Sequence, residues 1–163
     1  MEERDFAKLV REHDAALRAL AFRLLGDRDR MDDALQEAYL RAYRALPRFR
    51  GDSAISTWLY RIVYNACLDE LRNAPQVVAL DSVRERADPR PGAAESLELA
   101  DALASLPPAD RAAVLLVDAQ GFAYRSAAEV LGFPEGTIAS RLNRARAHLR
   151  RYLGNQLEGA SER

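Results

Sequence analysis

From Gly136 to Leu153 the sequence reads GTIASRLNRARAHLRRYL, with five arginines and no acid. On a helix, Ile138, Leu142, Ala145, Leu149 and Tyr152 recur every three or four residues and form an apolar stripe. Thr137, Ser140, Arg141, Arg144, His148 and Arg151 occupy the neighbouring outward rows. These types suit DNA: arginine bonds guanine through two donors, asparagine bonds adenine, and hydroxyls bond more permissively. Thr137, Ser140, Arg141 and Asn143 can therefore read base edges, while Arg144, Arg146, Arg150 and Arg151 suit phosphates. A solvated face is the competing reading of any basic helix, and a helix C-terminus alone would account for Arg150 and Arg151. It does not account for Arg141 near the N-terminal end, nor for the missing acids, because ordinary surfaces mix signs.

The segments upstream supply the frame. A helix over Tyr124–Leu131 followed by the turn LGFPEG and the basic helix forms a helix-turn-helix pattern. In that motif the first residues of the second helix enter the major groove. Two further helices are expected before it, over 97–106 and 109–119, separated by Pro107-Pro108. The first half is helical too. Phe6, Leu9, Val10, His13, Leu17, Leu20, Ala21, Leu24 and Leu25 keep helical spacing until Gly26. A second helix buries Leu35, Ala38, Tyr39, Ala42, Tyr43 and Leu46 and stops at Pro47; a third starts near Ser56 and buries Trp58, Leu59, Ile62, Val63, Ala66 and Leu71. Residues 74–96, with three prolines, a glycine and no sustained period, read as a flexible linker on which only Val77, Val78 and Leu80 could dock. The expected fold is all-α: two small helical domains, 1–73 and 97–155, the second a helix-turn-helix, with a flexible tail over 156–163.

Composition narrows the function classes. The 163 residues carry a net charge of −1, so any DNA contact has to come from a local patch. The single cysteine, Cys67, excludes an internal disulfide and a cysteine-cluster zinc site. No apolar run is long enough to span a bilayer, and MEERDFAKLV has acids where a signal peptide has basic and apolar residues, so a cytoplasmic protein without membrane insertion is expected. His13 and His148 lie far apart, and no phosphate loop, nucleophile elbow or metal-ligand cluster appears. No catalytic residue, metal or cofactor is expected.

Two other helix faces bear on partners. On the second helix Asp33, Gln36, Glu37, Leu40, Arg41 and Arg44 lie opposite the core, and an apolar Leu40 among polar residues suits either a protein-binding surface or packing under a neighbouring helix. On the third, Tyr60, Arg61, Tyr64, Asn65, Leu68 and Arg72 lie opposite Trp58 and can stack on and bond unpaired bases. The preceding loop, residues 49–57, offers hydroxyls and amides that can hold a flipped base.

At this point the residues resemble a family. DDALQEAYLRAYRALPRFRGDSAISTWLYRIVYNACLDELR closely resembles domain two of the extracytoplasmic-function (ECF) sigma factors of bacterial RNA polymerase. LPPADRAAVLLVDAQGFAYRSAAEVLGFPEGTIASRLNRARAHLRRYL resembles their domain four. The resemblance implies a subunit that binds core polymerase and directs initiation at promoters. Asp33, Gln36 and Glu37, with Leu40 and Arg41 beside them, would dock on the β′ clamp helices, and domain four on the β flap. Phe49, Ser53, Ser56, Thr57, Arg61, Tyr64, Asn65 and Arg72 would capture and melt the −10 element. Arg125, Thr137, Ser140, Arg141, Asn143 and Arg144 would bind the −35 element, and the linker would thread toward the active-site channel. An anti-sigma factor is an expected partner. The alternative is a dimeric helix-turn-helix regulator that binds an operator without polymerase; it leaves the DDALQE and FRGDS blocks unused. An all-helical adaptor would ignore the basic strip.

Two positions depart from the family pattern. Ala123-Tyr124-Arg125-Ser126 stands where Ser-Tyr-x-Glu is common, so the capping box is lost, which costs about 1 kcal/mol and predicts a frayed helix start. Ala139 stands where lysine or arginine is common, removing one basic contact.

Overall fold

The computed structural model describes residues 2–73 and 93–161, with side chains described for 2–73 and 97–154. Most of the expected linker, with Val77, Val78 and Leu80, lies outside the described residues. Seven α-helices and no strand are present among those described: α1 (Glu3–Leu25), α2 (Arg28–Ala45), α3 (Ile55–Asn73), α4 (Ala93–Ala104), α5 (Pro108–Val114), α6 (Tyr124–Leu131) and α7 (Glu135–Ser161). A short 3-10 turn, Leu46–Arg48, follows α2, and a π turn, Leu115–Ala119, follows α5.

Local signals set these boundaries. A capping box between Glu2 and Asp5 starts α1, and Gly26 ends it in the left-handed conformation, its amide donating to the Phe22 carbonyl. Asp27 caps α2 through the amides of Asp29 and Arg30. The start of α6 has no side-chain cap, as the lost capping box predicts. Beyond Leu153 the outcome differs from the expected flexible tail: α7 continues to Ser161. No proline interrupts that stretch, and its two glycines, Gly154 and Gly159, each weaken a helix by only about 1 kcal/mol. Arg150 and Arg151 thus lie inside the helix rather than at its end, so the dipole account of them fails.

The first three helices form a bundle around Leu17, Leu20, Leu24, Leu35, Leu59 and Val63, all fully buried. The second half closes around Leu116, Val130, Ile138 and Leu142. Both belong to one continuous apolar core, because α3 packs against α6 and α1 touches α4 and α5. This joining was not expected. Tyr43, expected in the core, is 50% exposed, with its ring edge on Phe6 at 5.7 Å; α2 rolls so that Tyr39 takes the inner place and donates to Asp14 Oδ1 at 2.7 Å.

Candidate promoter and polymerase interfaces

The polymerase-facing candidates share the outer face of α2. Asp33, Gln36 and Glu37 are exposed, and Leu40 is 46% exposed, so it is not packed under a neighbour. Arg41 is more engaged. It donates to Glu37 Oε1 at 3.0 Å and to Asp69 Oδ2 on α3 at 2.8 Å, which raises its pKa, Asp69 contributing most. Asp69 also meets Arg72 at 3.5 Å, so an ion-pair chain runs from this face to the end of α3.

The α3 candidates divide. Arg61, Asn65 and Arg72 are exposed, the first two one turn apart on the same row. Phe49 and Ser53 in the loop, and Ser56 at the helix start, are half-buried, with the Phe49 ring 5.2 Å from Trp58. Thr57 is buried, and Tyr64, expected to face DNA, is 3% exposed, as is Tyr60. Burial pushes both tyrosines' pKa up, although Arg141 and Arg72 pull that of Tyr64 the other way. The physical reason is the second half: Tyr60 meets the Phe122 ring at 4.8 Å and donates to Gln120 Oε1 at 2.7 Å. A tyrosine is amphipathic, and its helical position fits an apolar interface as well as a nucleic-acid face.

The helix-turn-helix turn is built on Gly132, at φ 76°, where the chain must enter the left-handed region between α6 and α7. The amides of Gly132 and Phe133 both donate to the Ala128 carbonyl, at 2.8 and 3.1 Å. On α7, Ser140, Asn143 and Arg144 are exposed on one side, and Thr137 is half-buried. Ser140 donates its hydroxyl to the Thr137 carbonyl at 3.0 Å. Arg125 on α6 is 83% exposed, with Glu129 3.8 Å away.

Two arginines of the basic strip are committed inside the domain. Arg141 pairs with the nearly buried Asp110 at 2.8 Å and lies 4.4 Å from the Phe133 ring centroid, and its Nε is buried with no hydrogen-bond partner among the described residues. Arg146 grips Asp118 through two bonds, at 2.7 and 3.0 Å, which raises its pKa. His148 is half-buried, its Nε2 2.8 Å from Ser105 Oγ. Of the −35 candidates on α7, Ser140, Asn143 and Arg144 are therefore the exposed ones, and Thr137 and Arg141 are half-buried. The residues missed by sequence reading are Asp110, Asp118, Arg111 and Gln120, whose partners lie 5 to 104 positions away. Cys67 is buried and its thiol is pushed up to about 12 by that burial, fitting a core residue.

These faces lie within segments that match known proteins. Residues 9–75 match the family model for Sigma-70 region 2, and residues 96–149 that for Sigma-70, region 4. The chain is 44% identical over 151 residues to the ECF RNA polymerase sigma factor SigM of Mycobacterium tuberculosis, covering 91% of this chain and 77% of that one. It is 33% identical over 162 residues to the ECF RNA polymerase sigma-E factor of Escherichia coli, covering 89% and 84%. Among solved structures, it is similar to the sigma factor RpoE in complex with the anti-sigma factor NepR from Bartonella quintana, with a TM-score of 0.76, 28% identity, and 92% and 97% of the two chains covered. CnrH in complex with the cytosolic domain of CnrY gives a TM-score of 0.75, 28% identity, and 94% and 90%. With region 2 in its first half and the region 4 helix-turn-helix in its second, the chain belongs to the ECF sigma factors, which bind core RNA polymerase and direct initiation at −10 and −35 promoter elements.

Proposed function

We propose that residues 1–73 bind core polymerase and open the −10 element, that 97–155 read the −35 element, and that 74–96 connect them. The observation that carries this division is the pair of exposed rows: Asp33, Gln36, Glu37 and Leu40 on α2, and Ser140, Asn143 and Arg144 on α7. The α2 row offers carboxylates around one exposed apolar side chain, the composition of a protein-binding patch. The α7 row offers a hydroxyl, an amide and a guanidinium, which suit base edges and phosphate. Arg61, Asn65 and Arg72, with Phe49 and Ser53 in the loop, suit an unpaired strand: the ring stacks and the polar groups bond base edges. Thr57 and Tyr64, both buried, would join them only once uncovered, and Arg41 contributes after leaving Asp69 or Glu37.

The chain contributes specificity, and the polymerase it joins performs the chemistry. It works in the cytoplasm, where that polymerase acts; no described helix is long and apolar enough to cross a membrane. By likeness to RpoE solved with NepR, an anti-sigma factor is a partner of this chain as well. The test is transcription from a pool of promoter fragments by core polymerase with and without the chain. Initiation only with the chain, lost on Glu37→Lys with helicity retained, supports this reading. A fragment bound by the chain alone and never transcribed would favour the operator-binding regulator.

A further inference from the structure

The outermost row of α7 carries only short side chains. Gly136, Ser140, Asn143 and Ala147 follow one another at four, three and four residues, and all four are exposed. They lie across the helix from Ile138, Leu142 and Ala145, which are fully buried. Longer side chains stand at the flanks. Arg144 and Arg151 border the row on one side and Arg150 on the other, all exposed and without an ion-pair partner among the described residues. Arg141 and Arg146 are tied back to Asp110 and Asp118 and do not stand in front of the row. Ala139, where a basic residue is common, adds nothing long to its edge.

Nothing inside the chain explains the glycine that opens this row. Gly136 lies in the first turn of α7, its φ is outside the left-handed region, and a Cβ at that position would meet nothing within 4 Å. A glycine in a helix costs up to about 1 kcal/mol against alanine, and neither backbone conformation nor packing demands it here. The use left for a missing Cβ is the close approach of another molecule.

The polar groups of the row differ in what they can offer. Ser140 already donates its hydroxyl to the Thr137 carbonyl at 3.0 Å. The Asn143 amide has no hydrogen-bond partner among the described residues, so its donor and its acceptor are both open. An asparagine amide matches the N6 donor and N7 acceptor of adenine in the major groove, whereas guanine shows two acceptors there. Asparagine is short, so its amide reaches a base edge only when the helix backbone comes close to the groove floor. A row of glycine, serine and alanine allows that approach, and the flanking arginines then face the phosphates of the groove walls.

We propose that Asn143 selects an adenine in the −35 element, and that the missing side chain at Gly136 seats α7 deep enough for it to do so. This base assignment rests on residues 97–155 reading the −35 element.

The test is selection from a promoter that the chain transcribes, with its −35 element randomised, using core polymerase and the full chain. Wild type should enrich adenine at one position by about tenfold or more. Asn143→Ala should level the four bases at that position and leave the others as they were. Asn143→Gln keeps the amide and should still favour adenine there. Gly136→Ala should keep or raise the urea midpoint while lowering initiation several-fold on every selected sequence, an opposition that a purely structural glycine would not produce. Adenine enrichment that survives Asn143→Ala, or that Asn143→Gln redirects to another base, would overturn the adenine assignment. Unchanged initiation with Gly136→Ala would overturn the seating. A wild-type pool with no selected −35 base would overturn the −35 reading itself and this assignment with it, so the two failures are told apart.

Discussion

Helices α3 and α7 carry the two faces assigned to DNA, and the fold treats them in opposite ways. On α7 one side is core and the other keeps Ser140, Asn143 and Arg144 in solvent. On α3 the core extends past the bundle side, because Tyr60 and Tyr64 are covered by the second half. Even on α7 the arginines are unequal: Arg141 and Arg146 hold the domain together, and Arg144 is open. Residue type thus ranks candidates poorly within a basic strip. What a guanidinium already holds decides what it can offer DNA.

The largest expected effect breaks this comparison at Arg141. Arg141→Ala leaves Asp110 without its partner and should lower stability by about 2–3 kcal/mol, less than a fully buried pair because both groups retain some solvent contact. Urea unfolding checks it; an unchanged midpoint alongside lost promoter binding would return Arg141 to the reading row. Next comes Asn143→Ala, which should leave stability within about 0.5 kcal/mol and relax base preference at one −35 position by about 1–2 kcal/mol. Selection from a randomised −35 element reads this directly. The smallest effect belongs to Arg125→Ala. If this exposed guanidinium meets a phosphate, affinity falls only severalfold, equally on all sequences, and the salt slope shallows by about 0.9. An unchanged slope would remove Arg125 from the interface.

The helices were legible because periodicity and caps are local: Gly26, Asp27 and Gly132 sit where helices begin or end. The α2 and α7 rows were legible for the same reason, each being the polar side of an amphipathic helix. The closing of the halves was not. Tyr60 and Tyr64 among arginines read as a surface, and nothing local to Gln120 announces partners 60 and 104 positions away. The π turn was equally hidden, since the span of residues 109–119 keeps an ordinary helical period while its last turn widens. Long-range pairing also separated Arg141 from Arg144, which the sequence presents as equals.

The account turns on one chain touching two promoter elements, one of them melted. The most direct measurement is footprinting of core polymerase with the chain on a promoter it transcribes, with permanganate to detect unpaired thymines. The account predicts duplex protection near −35 that weakens with Asn143→Ala and Arg144→Ala, and unpaired thymines near −10 that diminish with Asn65→Ala and Arg61→Ala. A single duplex footprint produced by the chain without polymerase, with no unpaired bases, would contradict it.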